Sequence, residues 1–272
     1  MGNTNLKSNG LCIDKVSRPA ELLSAENLSC EFMVQGERIH AVKNVSFAIQ
    51  EGEVLGLVGE SGSGKSSIGK LIVGLYQASG GRLNYRGRPM PQGYKKSDFR
   101  YFSSRIQMVF QDSQGSLDPR FTIAQSLTEP LVLQAKPKSS HRAAIHHWLE
   151  NVGLPQSVLN RYPHELSGGQ RQRVGIARAF IAEPELVVCD EAISALDVSV
   201  QAQIVNLLKR LIESTGVTIL FIAHDLAMVR YLCNRCLVMC NGEIVEQGVT
   251  QQLFDAPQQA YTKRLLAAHP LI

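Results

Sequence analysis

Apolar residues along this chain gather into short, nearly unbroken runs separated by stretches with helical spacing. Val54-Leu55-Gly56-Leu57-Val58 is one such run, and it is bounded by glycines. The pattern suits a strand buried on both faces of a parallel sheet. Beyond a glycine-rich turn, Ile68, Leu71, Ile72 and Leu75 recur at helical spacing, giving the next segment one apolar face. Strand, glycine loop and helix are therefore expected in succession. Residues 186–189 and 217–223 form two more apolar runs, with Val200, Ile204, Leu207, Leu208 and Leu211 at helical spacing between them. That predicts a strand-helix-strand unit. Strand-like patterns also occupy residues 28–33 and 45–49, and Asn241-Gly242, between residues 236–240 and 243–246, has the composition of a two-residue hairpin turn. The fold class expected is α/β.

Residues 1–22 mix Asn, Ser, Gly and Lys without sustained periodicity and read as a loose extension. The main domain is expected over residues 23–250, with a short C-terminal extension over 251–272. Within it, residues from about 112 to 170 are polar, punctuated by proline and compatible with helices, and they predict a separate helical subdomain. No internal repeat is evident.

Composition narrows the class. With 272 residues, 44% of them hydrophobic, 19% charged and a mean hydropathy of −0.05, the chain can bury a core. Its 22 glycines and 11 prolines are too few for a collagen-like or low-complexity chain. The apolar runs fall far below the roughly 18 residues that a membrane-crossing helix needs. The amino terminus, MGNTNLKSNG, is polar and places Leu6 where a myristoylation signal has Ser or Thr, so neither export nor lipid anchoring is expected. The net charge of +4 is too mild to argue for nucleic acid, and none is expected as a partner. Residues 81–110 carry seven Lys/Arg against Asp98 alone, a local balance of +6 that suits a solvated face, a lipid headgroup surface or an acidic partner. Six cysteines without framework spacing predict reduced thiols.

The chemistry lies in three places. Gly59-Glu60-Ser61-Gly62-Ser63-Gly64-Lys65-Ser66 matches G-x-x-x-x-G-K-S/T and is followed by Ser67. The backbone N–H groups of such a loop wrap phosphate oxygens, and the helix after it offers its positive end. Lys65 would neutralise the β- and γ-phosphates, and the Ser66 hydroxyl would ligate Mg²⁺. Residues 186–189 lead into Asp190 and Glu191. Successive side chains on a strand face opposite ways, so Asp190 can address the metal and Glu191 a water beyond the γ-phosphate. His224 follows the run 219–223. Gly59, Asp190 and His224 all fall just past the carboxyl ends of predicted strands, where open α/β sheets hold ligands.

Leu166-Ser167-Gly168-Gly169-Gln170 then opens a helical run. It is a second anion-binding helix terminus, which one nucleotide in one chain does not need. A head-to-tail dimer uses both, each loop closing on the nucleotide of its partner.

Together these motifs resemble the ATP-binding subunit of an ABC transporter, over roughly residues 25–268. They are the phosphate loop, Gln111 in Val109-Phe110-Gln111-Asp112, the LSGGQ signature, Asp190-Glu191, Ser194-Ala195-Leu196-Asp197 and His224. The resemblance implies a P-loop core of the RecA type with an antiparallel β subdomain and a helical subdomain. It also implies Mg²⁺-dependent ATP hydrolysis. By it Gln111 contacts Mg²⁺ and the attacking water, Asp197 belongs to the dimer seam, His224 contacts the γ-phosphate and Phe32 stacks on adenine. Ser167, Gly168, Gly169 and Gln170 would act in trans on the partner's nucleotide.

The phrases GLVGESGSGKSS, FQDSQGSLDPR, CDEAISALDVSVQAQIVNLL and LFDAPQQAYTKRLL resemble the oligopeptide, dipeptide and nickel importers of that family. Gln259 and Ala260 replace the histidine and proline usual in the last phrase. Many members of that branch continue into a cysteine-bearing extension, so the chain is expected to be a short-form subunit. The implied partners are a second ATP-binding subunit, self or paralogue, two transmembrane permease subunits and, indirectly, an extracytoplasmic substrate-binding protein. The implied location is peripheral, on the cytoplasmic face of the inner membrane. Peptides are the expected cargo, with nickel or a metal chelate as the alternative. A soluble ABC-type ATPase of DNA repair or the ribosome is the rival class. Against it, Lys65 and Ser167 lie only 102 positions apart, too close for a long inserted coiled coil. Cys233, Cys236 and Cys240 have spacing that can bind zinc or an iron–sulfur cluster, yet Cys236 and Cys240 fall on an apolar strand where thiols pack as small hydrophobes.

Overall fold

The computed structural model describes residues 20–111, 115–192 and 197–268. In chain order the elements are β1 (Glu21–Val34), β2 (Glu37–Gln50), β3 (Val54–Val58), α1 (Lys65–Ile72), β4 (Gly80–Tyr85), β5 (Arg88–Pro89), α2 (Lys96–Ser103) and β6 (Ile106–Val109). There follow α3 (Ile123–Leu133), α4 (Lys138–Asn151), α5 (Gly168–Phe180), β7 (Leu186–Asp190), α6 (Val198–Thr215) and β8 (Thr218–Ile222). The chain closes with α7 (Leu226–Leu232), β9 (Arg235–Cys240), β10 (Glu243–Val249), α8 (Thr250–Asp255) and α9 (Ala260–Ala268).

Two sheets result. The larger has the order β10-β9-β3-β8-β7-β6, parallel except for β10, and the smaller is the antiparallel β2-β1-β4-β5. Every residue of β3, β7 and β8 is buried. Alternation along them divides the interior in two. Val54 and Val58 on β3, Val187 and Cys189 on β7, and Ile219 and Phe221 on β8 face a core shared with the helices. Leu55, Leu57, Leu186, Val188, Leu220 and Ile222 face a second core, under α1 and the antiparallel sheet. The parallel sheet is thus covered on both sides, which is why its strands read as unbroken apolar runs.

Residues 115–170 hold α3, α4 and two 3₁₀ turns and, among the described residues, no strand. Ile123, Leu127, Trp148 and Leu149 from this region pack with Val174 and Phe180 of α5 in the first core. Thr122 caps α3: its hydroxyl accepts from the Gln125 amide at 3.3 Å while the Gln125 side chain accepts from the Thr122 amide at 2.8 Å.

Several expectations change in detail. The first strand begins at Glu21, with Leu22 fully buried, before the expected boundary at residue 23. The two short strand patterns at 28–33 and 45–49 belong to a single long hairpin, β1–β2, whose register shifts beside Leu28 and at Cys30 break the sequence alternation. Residues 250–268, read as a separate extension from 251, carry Leu253, Phe254 and Leu265 into the first core. Leu75 does not join the buried face of α1. That helix ends at Ile72, Gly74 follows with φ +75°, and Leu75 stands 53% exposed. Asn241 and Gly242, at φ 48° and 88°, make the expected tight turn.

Candidate functional site

The loop between β3 and α1 is a tightly built turn. Gly59 has φ +152°, and a Cβ there would lie 2.1 Å from the Met239 carbonyl oxygen; Gly64 has φ +105°, and its Cβ would lie 2.1 Å from that of Ala41. Only glycine permits both the dihedral and the approach. The Gly242 amide donates to the Ser63 carbonyl at 2.9 Å, so the β9–β10 turn clamps the loop from outside. Inside it Lys65 is only 4% exposed, and its ammonium donates to the carbonyls of Gly59 at 2.8 Å and Glu60 at 2.7 Å and reaches Ser63 Oγ at 3.4 Å. Burial lowers the pKa of Lys65, and Glu191, Asp190 and Glu60 oppose that shift. A buried ammonium held by neutral carbonyls is placed to meet an anion. Glu60, Ser61 and Gly62 form the outer turn, and Ser66 and Ser67 open α1.

Asp190 ends β7, where pairing with β8 places Ile222 beside it. Its carboxylate accepts from the Ser66 hydroxyl at 2.8 Å. Burial raises the Asp190 pKa, against the Ser66 hydrogen bond and the charge of Lys70. A hydroxyl and a carboxylate are the hard oxygen donors that Mg²⁺ takes, and a desolvated carboxylate gains from a cation, so this pair fits the ion.

Glu191 follows with φ 43°, a left-handed backbone that costs about 1–3 kcal/mol for a residue other than glycine. Its amide still donates to the Ile222 carbonyl at 2.9 Å, so the sheet ladder runs on while the chain turns. The turn brings Glu191 Oε2 to 2.9 Å from Gln111 Nε2 and 3.9 Å from His224 Nδ1. Gln111 lies just beyond β6 and His224 just beyond β8, on either side of β7. Three residues distant in sequence thus meet at one carboxylate oxygen because three adjacent parallel strands end together.

The remaining predicted residues are placed as follows. Ser167 is the N-cap of α5, its hydroxyl accepting from the Gln170 amide at 3.2 Å and its amide donating to the Gln170 side chain at 3.0 Å. With Gly168 and Gly169 as the first helical residues, this is a helix start with Ser167 exposed and Gly168, Gly169 and Gln170 half-buried. Asp197 is the exposed N-cap of α6, whereas Asp112 and residues 194–196 lie outside the described residues. Phe32 sits half-buried near the end of β1 with its ring edge-on to Tyr76, centroids 4.9 Å apart.

Residues 42–194 match the ABC transporter family. The chain is 46% identical over 253 residues to the oligopeptide transport ATP-binding protein OppF of Bacillus subtilis, covering 92% of this chain and 83% of that protein.

The chain belongs to the ABC transporter family.

OppF of Salmonella typhimurium is 47% identical over 236 residues, covering 86% of this cassette and 70% of the relative. Among solved structures, the dimeric bacterial ABC transporter cassette MJ0796 superposes with a TM-score of 0.77 at 29% identity, covering 84% of this cassette and 99% of that chain. The same protein has been solved in a post-hydrolysis state bound to ADP and Pi. The structure of cbiO1 from Clostridium perfringens, part of a cbiONQ transporter complex, matches with a TM-score of 0.76 at 26% identity over 92% of this cassette and 96% of that chain.

The cysteines have a plain physical account. Cys233 and Cys236 are buried, and burial pushes the Cys236 thiol up to about 12 and Cys233 well above its ordinary value. Metal ligation needs the thiolate, which such surroundings disfavour. One contact had no signal in local sequence: the Glu60 amide donates to the Tyr261 hydroxyl at 3.2 Å, across 201 positions. Only the resemblance of the closing phrase LFDAPQQAYTKRLL to importer subunits drew attention to that segment.

Proposed function

We propose that this cassette is the ATP-hydrolysing subunit of an ABC importer for short peptides. The observation that carries the catalytic half is the meeting of Gln111, Glu191 and His224 at a single carboxylate oxygen, next to the Ser66–Asp190 pair and the buried Lys65. Residues 59–67 cradle the phosphates with backbone N–H groups, and Lys65 carries the countercharge. Ser66 and Asp190, with Gln111, would hold Mg²⁺, which supplies neutralising charge on the phosphate oxygens. Glu191 accepts a proton from water while the water oxygen bonds to the γ-phosphorus and the bond to ADP breaks. Gln111, by its hydrogen bond, and His224, by its nearness, orient the Glu191 side chain toward that water. Phe32, beside Tyr76, is the adenine platform.

The helix start at Ser167, Gly168, Gly169 and Gln170 acts in trans, closing on the nucleotide of a second cassette, self or paralogue, with Asp197 at the seam. The dimeric state of the MJ0796 cassette supports this arrangement. The catalytic domain takes in residues 21–268, whose closing helices share its first core, and residues from about 112 to 170 are its helical subdomain. A cavity of about 220 Å³ lies among α2, β6 and α5, with Leu75, Phe99, Phe110, Ser116 and Arg178 in its wall. It suits a cytoplasmic loop of a permease subunit, two of which complete the transporter. No helix among the described residues is long and apolar enough to cross a membrane. The OppF relatives, named as transport ATP-binding proteins, support a peripheral place for the cassette on the cytoplasmic membrane face and peptides as cargo. The test is Glu191→Gln, which keeps the size and the hydrogen bonding. ATP binding should persist while most turnover disappears, and turnover at the wild-type rate would remove Glu191 from the role of base.

A further inference from the structure

The C-terminal helix reaches the phosphate loop through a hydrogen bond to Tyr261, and that contact is a lever. Gly59 C=O and Glu60 N–H belong to a single peptide group, whose planarity fixes the two to point in opposite directions. On one side the carbonyl accepts from the Lys65 ammonium at 2.8 Å; on the other the amide donates to the Tyr261 hydroxyl at 3.2 Å. Rotation of that peptide would break both bonds at once.

Tyr261 is in turn held firmly. The Glu246 carboxylate on β10 accepts from the Gln258 amide at 2.8 Å through one oxygen and from the Gln259 amide at 3.0 Å through the other, which fixes the start of α9. Thr262 and Leu265 are buried at 1% and 5% exposure, and the Tyr261 ring packs against the first core. A hydroxyl delivered from so braced a turn has little freedom to follow a moving loop.

We propose that Tyr261 is a positioning residue for Lys65, locking the Gly59–Glu60 peptide so that the ammonium stays inside the phosphate loop, and that it thereby sets nucleotide affinity. The inference rests on the reading of this loop as the ATP site. It gives the closing segment a task in the reaction beyond packing. Tyr261 acts through the peptide and Lys65.

Tyr261→Phe tests it, because the ring and its packing stay and only the oxygen goes. In the full chain, the dissociation constant for Mg·ATP should rise about three- to tenfold, because the unlocked peptide would hold the binding-competent orientation only a fraction of the time. The unfolding midpoint without nucleotide should match wild type, and hydrolysis at saturating ATP in the assembled transporter should change less than about twofold, so that KM moves and kcat does not. Unchanged affinity would overturn the proposal. So would weaker affinity that comes with a lower unfolding midpoint or a parallel loss of kcat, since a merely structural role produces that. If the wild-type chain itself fails to bind ATP, the nucleotide reading falls first, and that outcome is distinct from a variant that binds as well as wild type.

Discussion

Replacing Gly64 by alanine asks whether the phosphate loop depends on its contact with β2. Gly64 is the N-cap of α1 at φ 105° and ψ 2°. A left-handed backbone costs an L-residue about 1–2 kcal/mol. The added Cβ would also lie 2.1 Å from the Ala41 carbonyl oxygen and 2.7 Å from Met239 Cε, where ordinary contact begins at 3.4 Å. The Met239 side chain can yield, but the Ala41 carbonyl is backbone in a paired strand. The loop must therefore retreat by more than 1 Å, and overpacking of that kind adds about 1–3 kcal/mol. The sum, about 2–5 kcal/mol, converts to about 5–15 °C in unfolding midpoint for a domain of this size. Gly216→Ala isolates the dihedral cost, because Gly216 caps α6 at φ 66° with nothing within 4 Å of its Cβ. Its midpoint should fall by no more than about half as much, and its ATP turnover should equal wild type. Turnover of Gly64→Ala should fall about a hundredfold, since displacing the loop by about 1 Å misplaces the phosphate donors. Thermal unfolding without nucleotide and steady-state ATP hydrolysis measure the two effects. Equal behaviour of the two variants in both assays would refute the claim that the Ala41 contact fixes the loop.

Two further outcomes follow from charge. Asp190→Asn should abolish Mg²⁺-dependent hydrolysis and yet raise the unfolding midpoint of the nucleotide-free chain, because burial already raises the Asp190 pKa and the amide carries no charge to desolvate; a lower midpoint in calorimetry would contradict this. Burial acts to raise the Glu246 pKa, but the Gln258 amide, the Thr262 side chain, the Gln259 amide and the charge of Lys263 together outweigh it and hold the carboxyl below its ordinary 4.5. A depressed folded pKa means stability that is fully present above 4.5 and lost as pH falls through the folded value, so Glu246→Gln should flatten the acid limb of unfolding midpoint against pH, and an unaltered limb would sink that assignment.

Legibility followed burial. β3, β7 and β8 are covered on both faces, so their apolar runs stand out in sequence, and the site residues at their carboxyl ends could be placed by counting along the strand. β1 hides behind bulges at Leu28 and Cys30, and β2 carries exposed residues over half of its length. β6 has only four residues, and α2 buries none, so neither produces a period long enough to recognise. Gln111 carries no chemistry that its neighbours advertise and is singled out in sequence by the family resemblance alone; its physical link to the site is the 2.9 Å contact with Glu191 Oε2. The left-handed turn at Glu191 that makes this possible has no sequence signature, because glutamate is not a residue that favours positive φ. Tyr261 was further out of reach, as a contact across 201 positions depends on how the closing helix docks.

The most direct test joins the cassette to its two permease subunits in vesicles and measures ATP hydrolysis on adding the extracytoplasmic binding protein, loaded first with peptide and then with nickel. Hydrolysis should rise with the peptide-loaded protein and fall to background in the Glu191→Gln transporter. Stimulation by the nickel-loaded protein alone would contradict the account of this chain as the motor of a peptide importer.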